Sequence, residues 1–172
     1  MSRALVIIAV QGYQDVELAG TLKGLGDKGY SVTIGSSAPG TCTGKFGGKT
    51  KADISLKEAK ISDYDRIAFI GGPGAEAYAR NPEALRIAHD AAAASLPLGA
   101  ICIAPLILAK AHVLDGKRAT VWDSGGEQKA ILEEYGASYT GETVTCDGLI
   151  VTGNGPEAAE EFGRTLVALT RR

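Results

Sequence analysis

The chain alternates between short apolar runs and longer segments of mixed polarity. In the apolar runs, branched side chains follow one another without a polar face, which predicts strands covered on both sides, as in a parallel sheet. These runs lie at residues 4–10, 30–36, 66–70, 98–102, 117–122 and 149–156, the last ending in a loop. Between the second and third runs, a glycine-rich stretch (GKFGGKT) and the following ADISLKEA predict a short hairpin and an extended segment.

The segments between the predicted strands carry apolar residues at helical spacing. The predicted helices cover residues 16–29, 75–94 (with a break at Pro82), 104–114, 125–136 and 157–172. Alternation of strand and helix from end to end predicts an α/β fold with a doubly wound, mostly parallel sheet and helices on both faces. In such folds a ligand site lies at the carboxyl ends of the strands. Since no linker or repeat interrupts the pattern, residues 1–172 are predicted to form a single domain.

Composition restricts the classes of function. The formal net charge is -2 and no basic cluster is present, so we expect no nucleic-acid partner. The apolar runs are too short to span a bilayer and the N-terminus lacks a cleavage site, so we expect no membrane association and no signal peptide. Three scattered cysteines indicate reduced thiols in a cytoplasmic protein. With 2 histidines and no C-x-x-C, we expect no metal site, and we expect no cofactor.

Two glycine-rich stretches need separate interpretations. Residues 24–29 match G-x-G-x-x-G, but a dinucleotide-binding loop follows a strand and opens a helix, whereas this stretch closes a predicted helix. We therefore interpret it as a helix end and turn. The GGPG of residues 71–74 follows a predicted strand and precedes a helix. It is either a simple tight turn or a loop whose backbone N–H groups face an anion.

Cys102 lies where a predicted strand meets a predicted helix, in the stretch AICIAP. This position fits a nucleophile elbow, and the unpaired N–H groups and dipole of a helix start lower the pKa of a thiol held there. From the residues alone, a reactive thiol and a buried structural cysteine both remain open. Glu17, near the start of the first helix, either reaches the same rim of the sheet or is a solvated first-turn residue.

Four stretches together resemble the ThiJ/PfpI family, within the class I glutamine amidotransferase-like superfamily. They stand in the family's order and cover nearly the whole chain: GYQDVELAG, FIGGPGAEAY, GAICIAPLILAKA with VLDGKRAT, and CDGLIVTGNGPEAAEEFG. The resemblance implies a flavodoxin-like fold, with Cys102 as the elbow nucleophile and Glu17 as its carboxylic partner. It also implies an oxyanion hole formed by the backbone N–H groups of Gly72 and Ile103, and a homo-oligomer, with a dimer as the leading expectation.

The chain departs from many members of that family, which bring a histidine to the cysteine. Here Ile103 follows Cys102, and Trp122 stands about where the histidine of the next strand would fall. A Cys–His general-base pair is therefore not predicted. Trp122 and its neighbour Asp123 are the remaining candidates for a third residue.

The two histidines and the other two cysteines are given structural interpretations. His89 is predicted in the middle of a helix and His112 at a helix end, so neither is expected to act at the cysteine of the elbow. Cys42 and Cys146 lie outside any predicted strand-to-helix corner.

The leading hypothesis is a thiol-dependent enzyme acting on small carbonyl or amide compounds. In it Cys102 attacks an electrophilic carbon while Glu17 carries a proton. By resemblance, the candidate reactions are glyoxalase-type hydration of methylglyoxal, deglycation and, ranked last, peptide hydrolysis, since no histidine is expected to protonate a leaving amine. The alternative is a protein without enzymatic activity, either an oxidation sensor whose cysteine passes to sulfenic or sulfinic acid or a stress-related holdase.

Overall fold

The protein is described by a computed structural model over residues 1–170. Within them twelve strands form, namely β1 (Arg3–Ile7), β2 (Gln11–Tyr13), β3 (Ser31–Ser36), β4 (Gly40–Gly44), β5 (Lys49–Ala52), β6 (Ile54–Ser55), β7 (Arg66–Phe69), β8 (Leu98–Ile101), β9 (Arg118–Ala119), β10 (Ser138–Tyr139), β11 (Val144–Asp147) and β12 (Ile150–Gly153). The α-helices of the same part of the chain are α1 (Asp15–Asp27), α2 (Pro82–Ala93), α3 (Pro105–Lys110), α4 (Glu127–Glu134) and α5 (Ala159–Ala168). Short 3-10 helices occupy Leu56–Glu58, Ile61–Asp63, Pro73–Arg80 and Pro156–Ala158.

Seven strands form the main sheet in the order β11-β12-β8-β7-β1-β3-β6. All neighbours pair in parallel except β11, which runs antiparallel to β12 at one edge. The strand order turns back on itself around β1, as a doubly wound sheet requires. The predicted α/β fold class, a mostly parallel sheet with helices on both faces, is confirmed.

Both faces of the sheet are covered, as the continuous apolar runs predict. On β1, Leu5 and Ile7 belong to one hydrophobic cluster, and Ala4 and Val6 belong to the other. The first cluster is completed by α2, α3 and α4, and the second by α1 and α5. Because successive side chains of a strand point to opposite faces, a strand buried on both sides has no polar face to show.

Several elements differ from the prediction. The run at residues 117–122 forms only β9, which pairs with β10 outside the main sheet. The strand β11 was not predicted, because VTCD lacks an apolar run. The third helix is shorter than predicted, and the last helix ends at Ala168. Residues 171–172, which are predicted to be helical, lie outside the described part of the chain. Val16, an apolar residue at the start of the first predicted helix, is exposed.

The glycines of residues 24–29 end a helix, as predicted. Lys28 caps α1, and Gly29 takes a φ of 75°, the left-handed conformation that suits glycine after a helix. Gly24, inside α1, allows close packing against α5, because a Cβ there would lie 2.6 Å from the backbone carbonyl carbon of Gly163. The stretch therefore serves a turn and a close helix crossing.

A second, smaller sheet lies beside the main one, with the strand order β2-β4-β5. Its β4–β5 hairpin corresponds to the hairpin predicted from the glycine-rich stretch. Through β2, which follows β1 after a short loop, this sheet is attached next to the carboxyl ends of the main strands. In the described part of the chain, no helix combines the length and apolar character needed to cross a membrane.

Candidate active site

Three loops at the carboxyl ends of β1, β7 and β8 meet at one rim of the main sheet. They bring Glu17, Gly72, Cys102 and Ile103 together around a cavity of about 370 Å³. The cavity wall consists of Gln14, Lys45, Gly72, Pro73, Glu76, Cys102, Ile103, Trp122 and Pro156. Glu17 lies beneath this wall, with 0% of its surface exposed.

Cys102 occupies a sharp corner directly after β8. Its φ is 65°, a left-handed conformation that costs a non-glycine residue about 1 to 3 kcal/mol. The corner is held from both sides, since the Cys102 N–H donates to the Gly153 carbonyl at 2.8 Å and the Cys102 carbonyl accepts from the Trp122 N–H at 2.8 Å. This is the strained strand-to-helix turn that a nucleophile elbow requires.

Glu17 is fixed against the same corner by the loop after β7. The carboxyl atom Oε1 accepts a hydrogen bond from the Gly71 N–H at 2.9 Å. Only glycine fits at residue 71, because a Cβ there would lie 2.6 Å from the Cys102 Cβ and 2.7 Å from Glu17 Oε1. The other oxygen, Oε2, is buried and has no hydrogen-bond partner in residues 1–170.

The carboxyl of Glu17 and the thiol of Cys102 shift each other's ionisation. Burial raises the pKa of Glu17 to about 7, although the Gly71 N–H and the neighbouring Cys102 lower it in part. Burial, followed by the charge of Glu17, raises the pKa of Cys102 to about 12. Sulfur and carboxyl are thus close enough to shift each other's pKa, although Oε2 forms no hydrogen bond. The pair retains a proton at neutral pH.

The direction of the Cys102 shift differs from the one predicted from sequence. The backbone N–H groups of Ile103 and Gly72 do lower the pKa of the thiol, as expected for a helix start. However, α3 is only 6 residues long, and burial together with the charge of Glu17 outweighs these two groups. A prediction from local pattern alone could not include the carboxyl that another part of the chain places beside the sulfur.

The N–H groups of Gly72 and Ile103 face the sulfur from two different loops. Gly72 has a φ of 108°, which turns its peptide group towards the cavity and which glycine adopts without strain. In residues 1–170 neither N–H donates to a backbone carbonyl. The two donors are therefore available to a negatively charged oxygen that develops next to Cys102.

Of the two candidates for a third residue, the structure brings only one to the cavity. Trp122 lies at the cavity wall and is 44% exposed. Asp123 does not line the cavity, because its carboxylate accepts from the N–H groups of Gly126 at 3.1 Å and Lys129 at 3.0 Å, at the start of α4. Asp123 therefore orders a helix terminus.

Neither histidine lines the cavity. His89 is on the outer side of α2, where it lies 3.4 Å from the Asp90 carboxylate. His112 follows α3 with a φ of 62°, and its ring packs against Tyr135. Of the other cysteines, Cys42 is buried and Cys146 is exposed, and both are outside the cavity wall.

Sequence reasoning missed three polar residues of the cavity wall, namely Gln14, Lys45 and Glu76. Gln14 caps α1, its side-chain oxygen accepting from the Glu17 N–H at 2.9 Å, which leaves its amide N–H groups to the cavity. Lys45 comes from the tip of the β4–β5 hairpin. The signal available in the sequence was the glycine-rich stretch around Lys45, but nothing local places that hairpin beside Cys102.

In the described residues, no group of three or more His, Cys, Asp or Glu side chains is arranged to hold a metal ion.

Comparison with known proteins finds relatives that are similar to this chain over nearly all of its length. A model of the DJ-1/PfpI family matches residues 2–169. Deglycase PfpI of Pyrococcus furiosus is 27% identical over 97% of this chain and 99% of its own length, and a deglycase of Pyrococcus abyssi is 28% identical over 97% and 99%. The crystal structure of a ThiJ/PfpI domain protein from Brachyspira murdochii is similar with a TM-score of 0.92 and 26% identity, over 97% of this chain and 95% of that chain. This match confirms the flavodoxin-like fold.

Proposed function

The chain belongs to the DJ-1/PfpI family, and from that membership together with the site we propose that it is a cysteine-dependent enzyme of the deglycase or glyoxalase type. Its substrates are small carbonyl compounds or their adducts with amines. Cys102 is the nucleophile, Glu17 its proton partner, and the N–H groups of Gly72 and Ile103 form the oxyanion hole.

The observation that carries this proposal is the buried carboxyl–thiol pair at the cavity floor. A base with a pKa of about 7 is matched to proton transfer at neutral pH, and burial gives Glu17 that value. As the Cys102 sulfur forms a bond to a carbonyl carbon, the thiol proton passes to Glu17. The C=O π electrons move to oxygen, where the two N–H groups stabilise the charge. Glu17 then returns the proton to that oxygen.

The shape of the cavity favours small carbonyl compounds over polypeptide backbones. A volume of about 370 Å³ corresponds to roughly a dozen water molecules at ~30 Å³ each. Peptide hydrolysis also needs an acid positioned at the leaving nitrogen, and Glu17 lies beneath the sulfur with its Oε1 bonded to Gly71. The relatives named deglycases are similar over nearly the whole chain, which supports the same ranking.

The oxidation-sensor alternative has less support. The thiolate, not the thiol, is the form that peroxide oxidises readily. Burial and the charge of Glu17 raise the pKa of Cys102, which disfavours a resting thiolate. A proton partner that is used during attack suits an enzyme better than a sensor that needs a resting thiolate.

The test is a panel of substrates with wild type, Cys102→Ala and Cys146→Ala. Cys146 is exposed and away from the cavity, so its variant controls for loss of any thiol. We expect turnover of methylglyoxal or of a methylglyoxal–amine adduct by wild type and Cys146→Ala, with loss of at least about 100-fold in Cys102→Ala. Equal activity of wild type and Cys102→Ala would refute the proposal.

A further inference from the structure

The cavity wall carries a cation for which the chemistry at Cys102 has no use. Lys45 lines the cavity together with the amide of Gln14. In residues 1–170 no carboxylate lies within ion-pair distance of the Lys45 ammonium group. The ammonium lies 5.4 Å from the centre of the Phe46 ring, an interaction that leaves its N–H donors unoccupied.

The hairpin tip that bears Lys45 is tightly fixed against the start of α1. The Lys45 N–H donates to the Tyr13 carbonyl at 2.7 Å. The Asp15 carboxylate accepts from the Phe46 N–H at 2.8 Å and from the Gly48 N–H at 2.9 Å, which anchors the residues that follow Lys45. A loop fixed in this way presents its side chain at a defined place, as a binding residue requires.

The charge of Lys45 reaches the reacting groups. It lowers the pKa of Glu17, which lies directly beside the Cys102 sulfur. Glu76, the other charged residue of the cavity wall, lies in the first turn of the 3-10 helix Pro73–Arg80. Of these two residues, Lys45 is the one whose charge acts on the Glu17 carboxyl, and an anionic group is favoured beside its ammonium.

We propose that Lys45 is the residue that selects the substrate of this enzyme, binding a carboxylate carried by the aldehyde whose carbonyl carbon Cys102 attacks. The inference rests on the proposed function for the position of the carbonyl and adds the chemical class of its substituent. Lys45 donates to the carboxylate, with the Gln14 amide beside it, while the apolar wall formed by Trp122 and Pro156 covers the carbon chain.

The first step with such a substrate is an addition of the thiol to the aldehyde, which needs no further reactant. With glyoxylate, the simplest aldehyde that carries a carboxylate, the sulfur of Cys102 forms a bond to the aldehyde carbon and the C=O π bond breaks. The thiol proton moves through Glu17 to the former carbonyl oxygen. The product is a hemithioacetal whose carboxylate stays on Lys45, and nothing is oxidised or reduced.

The experiment compares anionic and neutral aldehydes, of which glyoxylate and glycolaldehyde are matched in size. The probes are glyoxylate, the longer succinic semialdehyde, and the neutral glycolaldehyde. The variants are Lys45→Gln, Lys45→Arg and, as a control for net charge, Lys51→Gln, since Lys51 is on the same hairpin but does not line the cavity. The affinity for each aldehyde is measured in two ways. The first is the protection of Cys102 from alkylation. The second is the quenching of the fluorescence of Trp122, the single tryptophan of the sequence, in a Cys102→Ala background.

We expect Lys45→Gln to weaken binding of at least one of the two anionic aldehydes by about tenfold, the loss typical of a charged hydrogen bond, and to change glycolaldehyde binding by less than about twofold. Lys45→Arg should retain most of the affinity. Added salt should weaken anion binding in wild type and not in Lys45→Gln.

The two readouts separate failure of this inference from failure of the proposed function. If aldehydes protect Cys102 equally well in wild type and Lys45→Gln, the nucleophile stands and the role of Lys45 is wrong. If no aldehyde protects Cys102, the proposed function is wrong, and the Trp122 titration in Cys102→Ala still decides whether Lys45 binds the anion. Equal losses in Lys45→Gln and Lys51→Gln would also overturn the inference.

Discussion

At the scale of single residues, the site depends on placing a carboxyl where it is poorly solvated and next to a thiol. Two negative charges in such a place repel strongly, so the pair gives up its second proton only at alkaline pH. Burial raises the pKa of both groups, and the charge of Glu17 adds to the shift of Cys102. The N–H groups of Gly72 and Ile103 act in the opposite direction and favour a negative charge at the sulfur side of the pair.

Replacement of Glu17 by glutamine should lower the pKa of the Cys102 thiol from its raised value of about 12. The variant keeps the size of the side chain and removes the charge that opposes thiolate formation, while burial still acts. Thiolate ultraviolet absorbance, followed against pH and corrected by the titration of Cys102→Ala, measures the change. An unchanged titration would show that the sulfur does not sense the charge of Glu17.

How far the sequence predicts these residues depends on the range of the contacts involved. Cys102 stands at a corner whose strand and helix are both local, so pattern alone places it. Lys45 reaches the cavity only because a hairpin folds back onto the start of α1, through Asp15, and no local pattern contains that contact. Asp123 looked suitable because it follows a predicted strand, but the glycines after it begin a helix that uses its carboxylate.

At the scale of elements, the first and last helices are joined by a close crossing. A Cβ at Gly20 would lie 2.6 Å from the Ala159 Cβ, and one at Gly24 would lie 2.6 Å from the Gly163 backbone, so the two helices touch through their backbones. This crossing fixes α1, and α1 begins with Asp15 and Glu17. The position of Glu17 thus depends on glycines far from the candidate site.

A matched pair of glycine substitutions in α1 tests this crossing. Gly24→Ala should destabilise the protein by about 1 to 3 kcal/mol, because the added methyl group meets backbone that has no room to move. Gly26→Ala, in the same helix, should stabilise by up to about 1 kcal/mol, since nothing lies within 4 Å of its Cβ and alanine favours helix. Urea unfolding measures both. Similar effects of the two substitutions would contradict the close crossing.

At the scale of the whole molecule, the elements predicted well are those whose pattern of apolar and polar residues indicates how they are buried. Continuous apolar runs identified the central parallel strands, since only strands covered on both faces lack a polar side. The edge strand β11 and the pair β9–β10 have mixed side chains, and their pairing is decided by neighbours distant in sequence. Topology alone predicts the carboxyl-end rim, where the cavity lies, whereas several residues of the cavity wall come from contacts between parts of the chain distant in sequence.

The buried carboxyl also ties the stability of the whole molecule to pH. Glu17 has a pKa of about 7 when folded and 4.5 as its ordinary value. The folded state therefore binds this proton more tightly than the unfolded state, so the stabilisation is fully present below the ordinary value and is lost as pH rises through about 7. Between about pH 5 and about pH 8, wild type should lose about 2 kcal/mol relative to Glu17→Gln, which cannot ionise.

Urea unfolding of the two proteins at both pH values measures that difference, and taking the difference removes the titration of all other groups. Glu160→Gln provides the control, because Glu160 is an exposed residue of α5 that makes only a long ion pair with Arg164, at 3.9 Å. We expect its difference from wild type to stay within about 0.5 kcal/mol across the same range. A flat difference between wild type and Glu17→Gln would mean that the carboxyl ionises in the folded protein at little cost, and the candidate site would then lack the proton acceptor matched to neutral pH that the proposed attack requires.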